Sequence, residues 1–234
     1  VNATYSIRCD WSGNGDFTGT GEDLTSRVMR AEWFTGRDYA SMLTGKAQGG
    51  RLVLNLNNES GDYNSFLTTG PLYGNLLPKR RVQVRGTDAS GTVTLWEGFL
   101  DKINPQVEHS SAHMALLEAV GPLAILQAKD VSLTMQTSVA TGTLIGSLLD
   151  EAGWAAGDRS IDAGQTTIER SIIDNEDTLS VLREIAETEN GFIRESRDAK
   201  VVFEDRDFRL TSPQTVSQAT FSDAAGAARA YSRI

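Results

Sequence analysis

The chain has one cysteine, Cys9, among its 234 residues, so no disulfide bond can form within it. This agrees with assembly in a reducing cytoplasm. The longest apolar runs, Met114–Leu117 and Gly121–Leu126, are far shorter than the ~20 residues of a membrane-spanning helix. A basic segment followed by an apolar one does not open the sequence, so we predict no secretion signal. Prolines are few (5) and glycines many (22), which is typical of strands joined by tight turns.

Enzyme signatures are also lacking: G-x-S-x-G, H-E-x-x-H, G-x-x-x-x-G-K-[ST] and C-x-x-C are absent. The two histidines, His109 and His113, lie four apart on a predicted strand without further zinc ligands, so we interpret them as exposed strand residues. Cys9 occupies an inward-pointing strand position, away from both histidines. We interpret the carboxylates of the later predicted helix as a solvated face: Glu184, Glu187 and Glu189. The sequence therefore predicts a protein that is not an enzyme.

Acidic residues outnumber basic ones by 31 to 22, for a net charge of −9, and they are spread along the whole chain. Proteins that grip nucleic acid need clustered lysine and arginine to neutralise phosphates. The compact basic run here is Lys79-Arg80-Arg81, followed by Arg85. We interpret it as the entrance of a strand with solvated charges. Specific nucleic-acid binding is not expected.

The first 120 residues are β-rich, because apolar and polar residues alternate there with the period of a half-buried strand. A strand rich in β-formers is predicted over Thr92–Ile103, where Gly98 indicates a bulge or bend. Another is predicted over Met114–Val120, and turn-forming segments separate the strands. The alternating apolar positions are Tyr5, Ile7 and Cys9; Leu52, Leu54 and Leu56; and Val82 and Val84. Five or more strands without an intervening helix favour a barrel or sandwich.

Helical periodicity begins after Gly121-Pro122. Thr141 is a predicted N-cap, and a second helix is predicted to be capped by Asp174 or Asn175 and followed by Gly191. A hairpin is predicted next, pairing Phe192–Glu195 with Val201–Glu204. The apolar positions of the two helices are Leu144, Ile145, Leu148, Leu149 and Ala152, then Leu179, Leu182, Ile185 and Ala186. These elements predict a small α+β unit.

The fold class expected for the whole chain is therefore α+β and mainly β. The predicted units are a β-barrel or sandwich over residues 1–124 and an α+β unit with two helices and a hairpin over 125–206. Residues 207–234, with Phe221 and Tyr231 as isolated apolar anchors, are expected to begin a third unit that is cut short.

One loop has the spacing of oxygen ligands. Asp10, Ser12, Asn14 and Asp16 follow the pattern of a calcium loop, with Gly15 at its sharp turn. The twelfth position, where a bidentate Glu belongs, is Gly21, and Glu22 and Asp23 come after it. Two interpretations stay open: a glycine-rich turn whose Asp and Asn side chains bind the backbone, or a weak calcium site.

Several phrases resemble one protein family. The opening YSIRCDWSGNGDFTGTGEDLTSRV is similar to the start of siphophage and prophage minor tail proteins, as are RLVLNLNNESGDYN, GPLYGNLLPKRRVQVRG and LWEGFLDKI, in that order. TLIGSLLDEAGW and EDTLSVLREIAETENGFIRESRDAKVVFEDR resemble the second domain of tail hub proteins. Hubs of contractile phage baseplates and of type VI secretion spikes share this arrangement. The resemblance covers residues ~1–206, and the order of the phrases is its specific part.

The resemblance implies a structural component of a phage tail tip or baseplate hub. In such hubs the first and third domains are tube-like barrels, so a homotrimer presents six barrels to the hexameric tail tube. Expected partners are other copies of the chain, the tail tube or distal tail protein, other tail tip proteins, and DNA in transit. The implied location is the virion, after assembly in the host cytoplasm. A negatively charged lumen would make no lasting contact with DNA.

Two other functions stay open. A calcium-dependent β-sandwich could bind host surface glycans through the Asp10–Asp16 loop, with Trp11, Phe17 and Trp33 stacking on sugars. These aromatics are more typical of core or interface positions. A tail-associated peptidoglycan hydrolase would need a carboxylate or Cys/His site, which the sequence does not offer.

Overall fold

Six strands form one antiparallel sheet at the start of the chain, in a computed structural model that describes residues 3–37, 46–107 and 113–216. The sheet order is β1-β4-β5-β6-β3-β2. The strands are β1 (Thr4–Cys9), β2 (Val28–Arg37), β3 (Ala47–Asn57), β4 (Arg81–Asp88), β5 (Gly91–Val107) and β6 (His113–Val120). The sheet curls into a half-barrel.

The core of the half-barrel lies on one face of this sheet, as the alternation of apolar residues predicts. Leu52, Leu54 and Leu56 of β3 have no exposed surface, and neither have Val82 and Val84 of β4. The other buried members of this cluster include Cys9, Trp11, Leu24, Trp96, Leu100, Ala115, Leu117 and Ala119. Residues between these positions point to the opposite face, where charged residues lie beside a few apolar ones. We call it the polar face; its charged residues include Arg30, Glu32, Arg51, Arg81, Arg85, Lys102 and Glu118.

A second hydrophobic cluster is built from the elements that follow. They are α1 (Pro122–Gln127), β7 (Asp130–Ala140), α2 (Thr141–Glu151), β8 (Arg159–Ile161), β9 (Thr167–Asp177), α3 (Thr178–Glu189), β10 (Phe192–Glu195) and β11 (Val201–Glu204). β10, β11 and β8 form a three-stranded sheet, in which β8 runs parallel to β11. β7 and β9 pair as a separate antiparallel ribbon. We call residues 122–204 the second unit.

The two predicted helices and the hairpin are confirmed, with their apolar stripes buried between them. Their caps differ from the prediction. Ala140 precedes α2, so Thr141 is its first residue. Asp177, and not Asp174 or Asn175, caps α3 by accepting a hydrogen bond from the Ser180 amide at 2.7 Å. The reason is that β9 continues to Asp177, which leaves the two earlier residues in a strand.

Four further elements were not predicted: β2, α1, β8 and the β7–β9 ribbon. Gly98, where a bulge or bend is predicted, pairs regularly with Val82, and the register of β5 shifts on either side of it: at Leu95 against β4 and at Asp101 against β6. Gly98 is required for a different reason. A Cβ there would lie 2.4 Å from the Trp96 ring and 2.5 Å from the Val120 carbonyl oxygen.

The predicted fold class, α+β and mainly β, is confirmed. The boundaries at 1–124, 125–206 and 207–234 stay a prediction. Ala47 of β3 contributes to the second cluster, so contacts cross the first boundary. A short 3-10 helix at Phe208–Leu210 follows the second, and Phe221 and Tyr231 lie outside the described residues. Within the described ranges, the helices are too short or too polar to cross a membrane.

We expect Gly98→Ala to lower the free energy of unfolding by about 1–3 kcal/mol, because the added methyl group overpacks a filled site. Urea denaturation measures the change. Gly146→Ala in α2 is the matched control: a Cβ there meets nothing within 4 Å, and alanine is the better helix former. An equal loss of stability in the control would contradict the overpacking argument.

Candidate functional site

The loop after β1 is organised by the buried carboxylate of Asp10, which is 2% exposed. Its Oδ1 accepts hydrogen bonds from the Ser12 hydroxyl at 3.1 Å and from the amides of Gly13 and Asn14 at 2.6 and 3.2 Å. Its Oδ2 accepts one from the Gly15 amide at 2.9 Å. The sequence curls here because Gly13 and Gly15 adopt positive φ angles of 72° and 87°.

The side chains of Asn14 and Asp16, the other predicted ligands, bind backbone amides two residues further along the chain. Asn14 Oδ1 accepts from the Asp16 amide at 3.0 Å, and Asp16 Oδ1 accepts from the Thr18 amide at 3.0 Å. Glu22, 1% exposed, closes the loop by accepting from the Ser12 and Gly19 amides at 3.1 and 2.7 Å. The structure thus joins Asp10 to Ser12, whereas Asn14 and Asp16 form consecutive side-chain turns.

Backbone amides and hydroxyls therefore supply positive partners for all the carboxylates of this loop. Across the described part of the chain, no three His, Cys, Asp or Glu side chains converge as a metal site. Calcium binding by Asp10, Ser12, Asn14 and Asp16 stays a prediction. Arg80 covers the loop, because a Cβ at Gly13 would lie 1.7 Å from its guanidinium.

The remaining sequence candidates occupy structural positions. Trp11 is 1% exposed and donates to the Gly21 carbonyl at 3.0 Å, so it is a core residue and offers no face to a sugar. Phe17 is half-buried, and Trp33 is 39% exposed. Burial raises the pKa of the Cys9 thiol, which agrees with an inert side chain. His113 is exposed at the start of β6, while His109 lies outside the described residues.

Glu189 corrects the interpretation of the helical carboxylates as solvated, because its side chain has no exposed surface. It accepts hydrogen bonds from the Thr141 hydroxyl at 2.8 Å and from the Gln165 and Thr166 amides at 3.0 and 2.8 Å. Burial alone would raise the pKa of Glu189, but these bonds hold it below its ordinary value. Residues 48 and 24 positions away supply the donors, so no local sequence pattern indicates that Glu189 is buried.

The polar face of the six-stranded sheet holds paired charges. Glu118 on β6 binds Arg51 on β3 at 3.0 Å and Lys102 on β5 at 3.3 Å. Arg30 binds Glu32 on β2. Three cations are thus bound to two carboxylates on this face, while Arg8 of β1 and Arg85 of β4, on the same face, form no ion pair with a described carboxylate.

The second unit packs on the other end of the polar face. Arg81 of β4 binds Glu97 at 2.9 Å and reaches Asp158 of the second unit at 2.5 Å. Beside it, Phe99 and Trp154 form an edge-to-face pair with ring centroids 5.6 Å apart. The basic run at residues 79–81 therefore does enter a strand, as predicted, but Arg81 is paired across the junction and not solvated.

Glu195 of β10 is the central side chain of this junction. It accepts hydrogen bonds from the Gly50 amide of β3 and, at 3.5 Å, from the Leu123 amide of α1. A Cβ at Gly50 or at Gly121 would lie 2.2 Å from a Glu195 oxygen, so a side chain at either position would displace the Glu195 carboxylate. Burial raises the pKa of Glu195 to about 7. Sequence analysis missed this residue, since it appears there only as a hairpin position.

Comparisons with known proteins address the fold. No protein-family model matches the sequence, and no curated protein matches it. Solved structures do match. The 43 kDa tail protein of prophage MuSo2 from Shewanella oneidensis aligns with a TM-score of 0.53 and 11% identity, over 87% of this chain and 54% of that one. The tail protein of Neisseria meningitidis MC58 aligns with a TM-score of 0.54 and 10% identity, over 87% and 51%.

This chain has the fold of phage tail proteins. The resemblance of the sequence phrases to that group is thereby confirmed at the level of fold. A chain in a PdpA–VgrG complex shares the fold as well, with a TM-score of 0.50 and 12% identity over 86% of this chain and 34% of that one. The chain spans about half the length of the two tail proteins.

We expect Asp10→Ala to lower the free energy of unfolding by about 1–3 kcal/mol, because buried amides lose their acceptor. Thermal denaturation measures the change. Asp16→Ala, at an exposed carboxylate, should cost much less. The same melts test the calcium prediction: a rise in Tm with calcium that Asp16→Ala abolishes would show a metal site, whereas an unchanged Tm would contradict it.

The titration of Glu195 predicts a pH dependence. The folded state holds this proton up to about pH 7, whereas the unfolded chain releases it near the ordinary value of 4.5. The free energy of unfolding should therefore fall as the pH rises between these values. In Glu195→Gln this slope should be flatter, with a difference of roughly 2 kcal/mol across the window. Exposed Glu169→Gln is the control, and identical slopes in all three proteins would contradict the assignment.

Proposed function

We propose that this chain is a structural, non-enzymatic component of a phage tail tip or baseplate hub. In this proposal three copies form a ring that closes the end of the tail tube and lets DNA pass. The observation that supports it most is the fold shared with two phage tail proteins over 87% of the chain. The virion is then its location, and tail tube, distal tail and tip proteins are its partners.

The open half-barrel supports a ring. A curled sheet that does not close on itself has surface that neighbouring copies can cover, and repeated rotation about one axis closes such contacts into a ring. The second unit packs on one end of the polar face, so that end is already occupied. In the proposal, the half-barrels line the ring, and residues 207–234 begin a further tube-like unit.

DNA passage requires a surface that does not hold phosphates. Outside the junction with the second unit, cations outnumber carboxylates on the polar face. This face is therefore not the acidic surface that the net charge suggested. Three of these cations are bound to carboxylates: Arg51 and Lys102 to Glu118, and Arg30 to Glu32. Paired arginine and lysine make fewer contacts with phosphates. We therefore propose that ion pairing makes this face permissive for DNA.

The test uses phage particles that carry the chain with an epitope tag. Gold-labelled antibody in negative-stain images should mark one tail end, and quantitative mass spectrometry should give about three copies per tail. Label on the capsid, label spread along the tail, or absence from the particle would each contradict a tail-tip ring.

The same particles test DNA passage. Glu118→Lys adds a cation beside Arg51 and Lys102, and we expect it to slow DNA ejection, more strongly at low salt. Glu169→Lys, at an exposed position on the β7–β9 ribbon, is the matched control and should eject at the wild-type rate. Equal ejection rates in both variants would contradict the proposal that DNA passes along the polar face.

A further inference from the structure

The two edges of the six-stranded sheet are not equivalent. The β1 edge is covered by the chain itself: the Cys9 amide donates to the Glu22 carbonyl and the Leu24 amide to the Ile7 carbonyl, both at 2.9 Å. The Thr25 hydroxyl accepts from the Ile7 amide at 3.1 Å. Within the described residues, no strand pairs with the outer side of β2. An uncovered edge strand is a ready template for another strand.

β2 also leaves apolar side chains in solvent. Met29 is 62% exposed and Trp33 39% exposed. Trp33 pairs with Leu52 and Ala31 with Leu54, so Trp33 and Ala31 lie on the core face, at the rim of the half-barrel where the core stops. On the polar face, Arg30 and Glu32 are 69% and 61% exposed. The edge therefore has an apolar side and a charged side.

The sequence of β2 is complementary to itself in the antiparallel direction. If Ala31 stands opposite Ala31 of a second copy, Arg30 stands opposite Glu32, twice. Met29, the extra residue of a β-bulge between Val28 and Arg30, then lies near Trp33 of the second copy. A two-fold axis perpendicular to the sheet keeps the core face of both copies on the same side. Opposite charges and methionine–aromatic pairs are favourable neighbours across antiparallel strands.

We propose that the free chain forms a two-fold dimer in which β2 of each copy pairs antiparallel with β2 of the other, centred on Ala31. Two half-barrel sheets then continue as one, and the rim residues Met29 and Trp33 are covered. Each Arg30 exchanges its bond to Glu32 of its own chain for one to Glu32 of the partner, or shares both. This dimer concerns the chain before assembly and does not rest on its function in a tail.

Charge exchange tests the register. Arg30→Glu places two glutamates opposite one another at both ends of the two-fold, and Glu32→Arg does the same with arginines. We expect each single variant to raise the dimer dissociation constant by about tenfold or more, measured by light-scattering mass over a concentration series. Both positions are exposed, so folding should be retained and is checked by circular dichroism. Glu59→Arg, in an exposed turn, is the control and should dimerise like the wild type.

Rescue distinguishes this register from a general loss of solubility. The double variant Arg30→Glu/Glu32→Arg restores opposite charges and should dimerise again. A mixture of the two single variants, one of them extended by a tag, should form a heterodimer of intermediate mass, because each strand then faces its complement. A wild-type chain that stays monomeric at all concentrations would overturn the proposal, as would a dimer indifferent to these substitutions. If the label is found at tail tips but the free chain is monomeric, the dimer is contradicted and the proposed tail function is not.

Discussion

The carboxyl group of Glu195, which lies against Gly50 and Gly121, joins the half-barrel to the second unit. Glu195 reaches from β10 to amides of β3 and α1, and the absence of side chains at Gly50 and Gly121 lets it approach. The surrounding contacts depend on this approach. Arg81 can bridge Glu97 and Asp158, and Phe99 can meet Trp154, only when the second unit lies this close to the sheet. The relative position of the two units is thus set by backbone as much as by side chains.

Three buried carboxylates of this protein have the same kind of partner: Asp10, Glu22 and Glu189 each accept hydrogen bonds from backbone amides. Such bonds satisfy the charge locally and fix the turn or helix end that donates them. This is why spacing alone gave an ambiguous calcium loop: the same alternation of oxygens serves a cation or a run of amides, and the amide donors are invisible in sequence.

The elements that sequence predicted are those whose burial is one-sided. β3 alternates strictly because one face is core, and α2 and α3 show helical stripes for the same reason. β2 and the β7–β9 ribbon were missed because exposed residues occupy both of their faces, including Met29, Phe34, Met135 and Ile172. The cap of α3 was displaced because β9 runs directly into it. Glu189 and Glu195 depend on partners distant in sequence, so no local pattern could have marked them.

The same exposure that prevented the prediction of β2 makes it the edge proposed here for pairing between copies. In the proposed function, the chain must stay soluble before it meets its neighbours, yet it must keep surfaces that bind them. Because the chain's own loop covers the β1 edge, β2 is the uncovered edge of the six-stranded sheet among the described residues, and edge strands of this kind aggregate unless they are charged or paired. Arg30 and Glu32 make the edge polar on one side. The exposed side chains of Met29 and Trp33 add apolar surface that pairing would bury. A two-fold pairing closes on itself and cannot propagate, so it protects the edge without building a fibre.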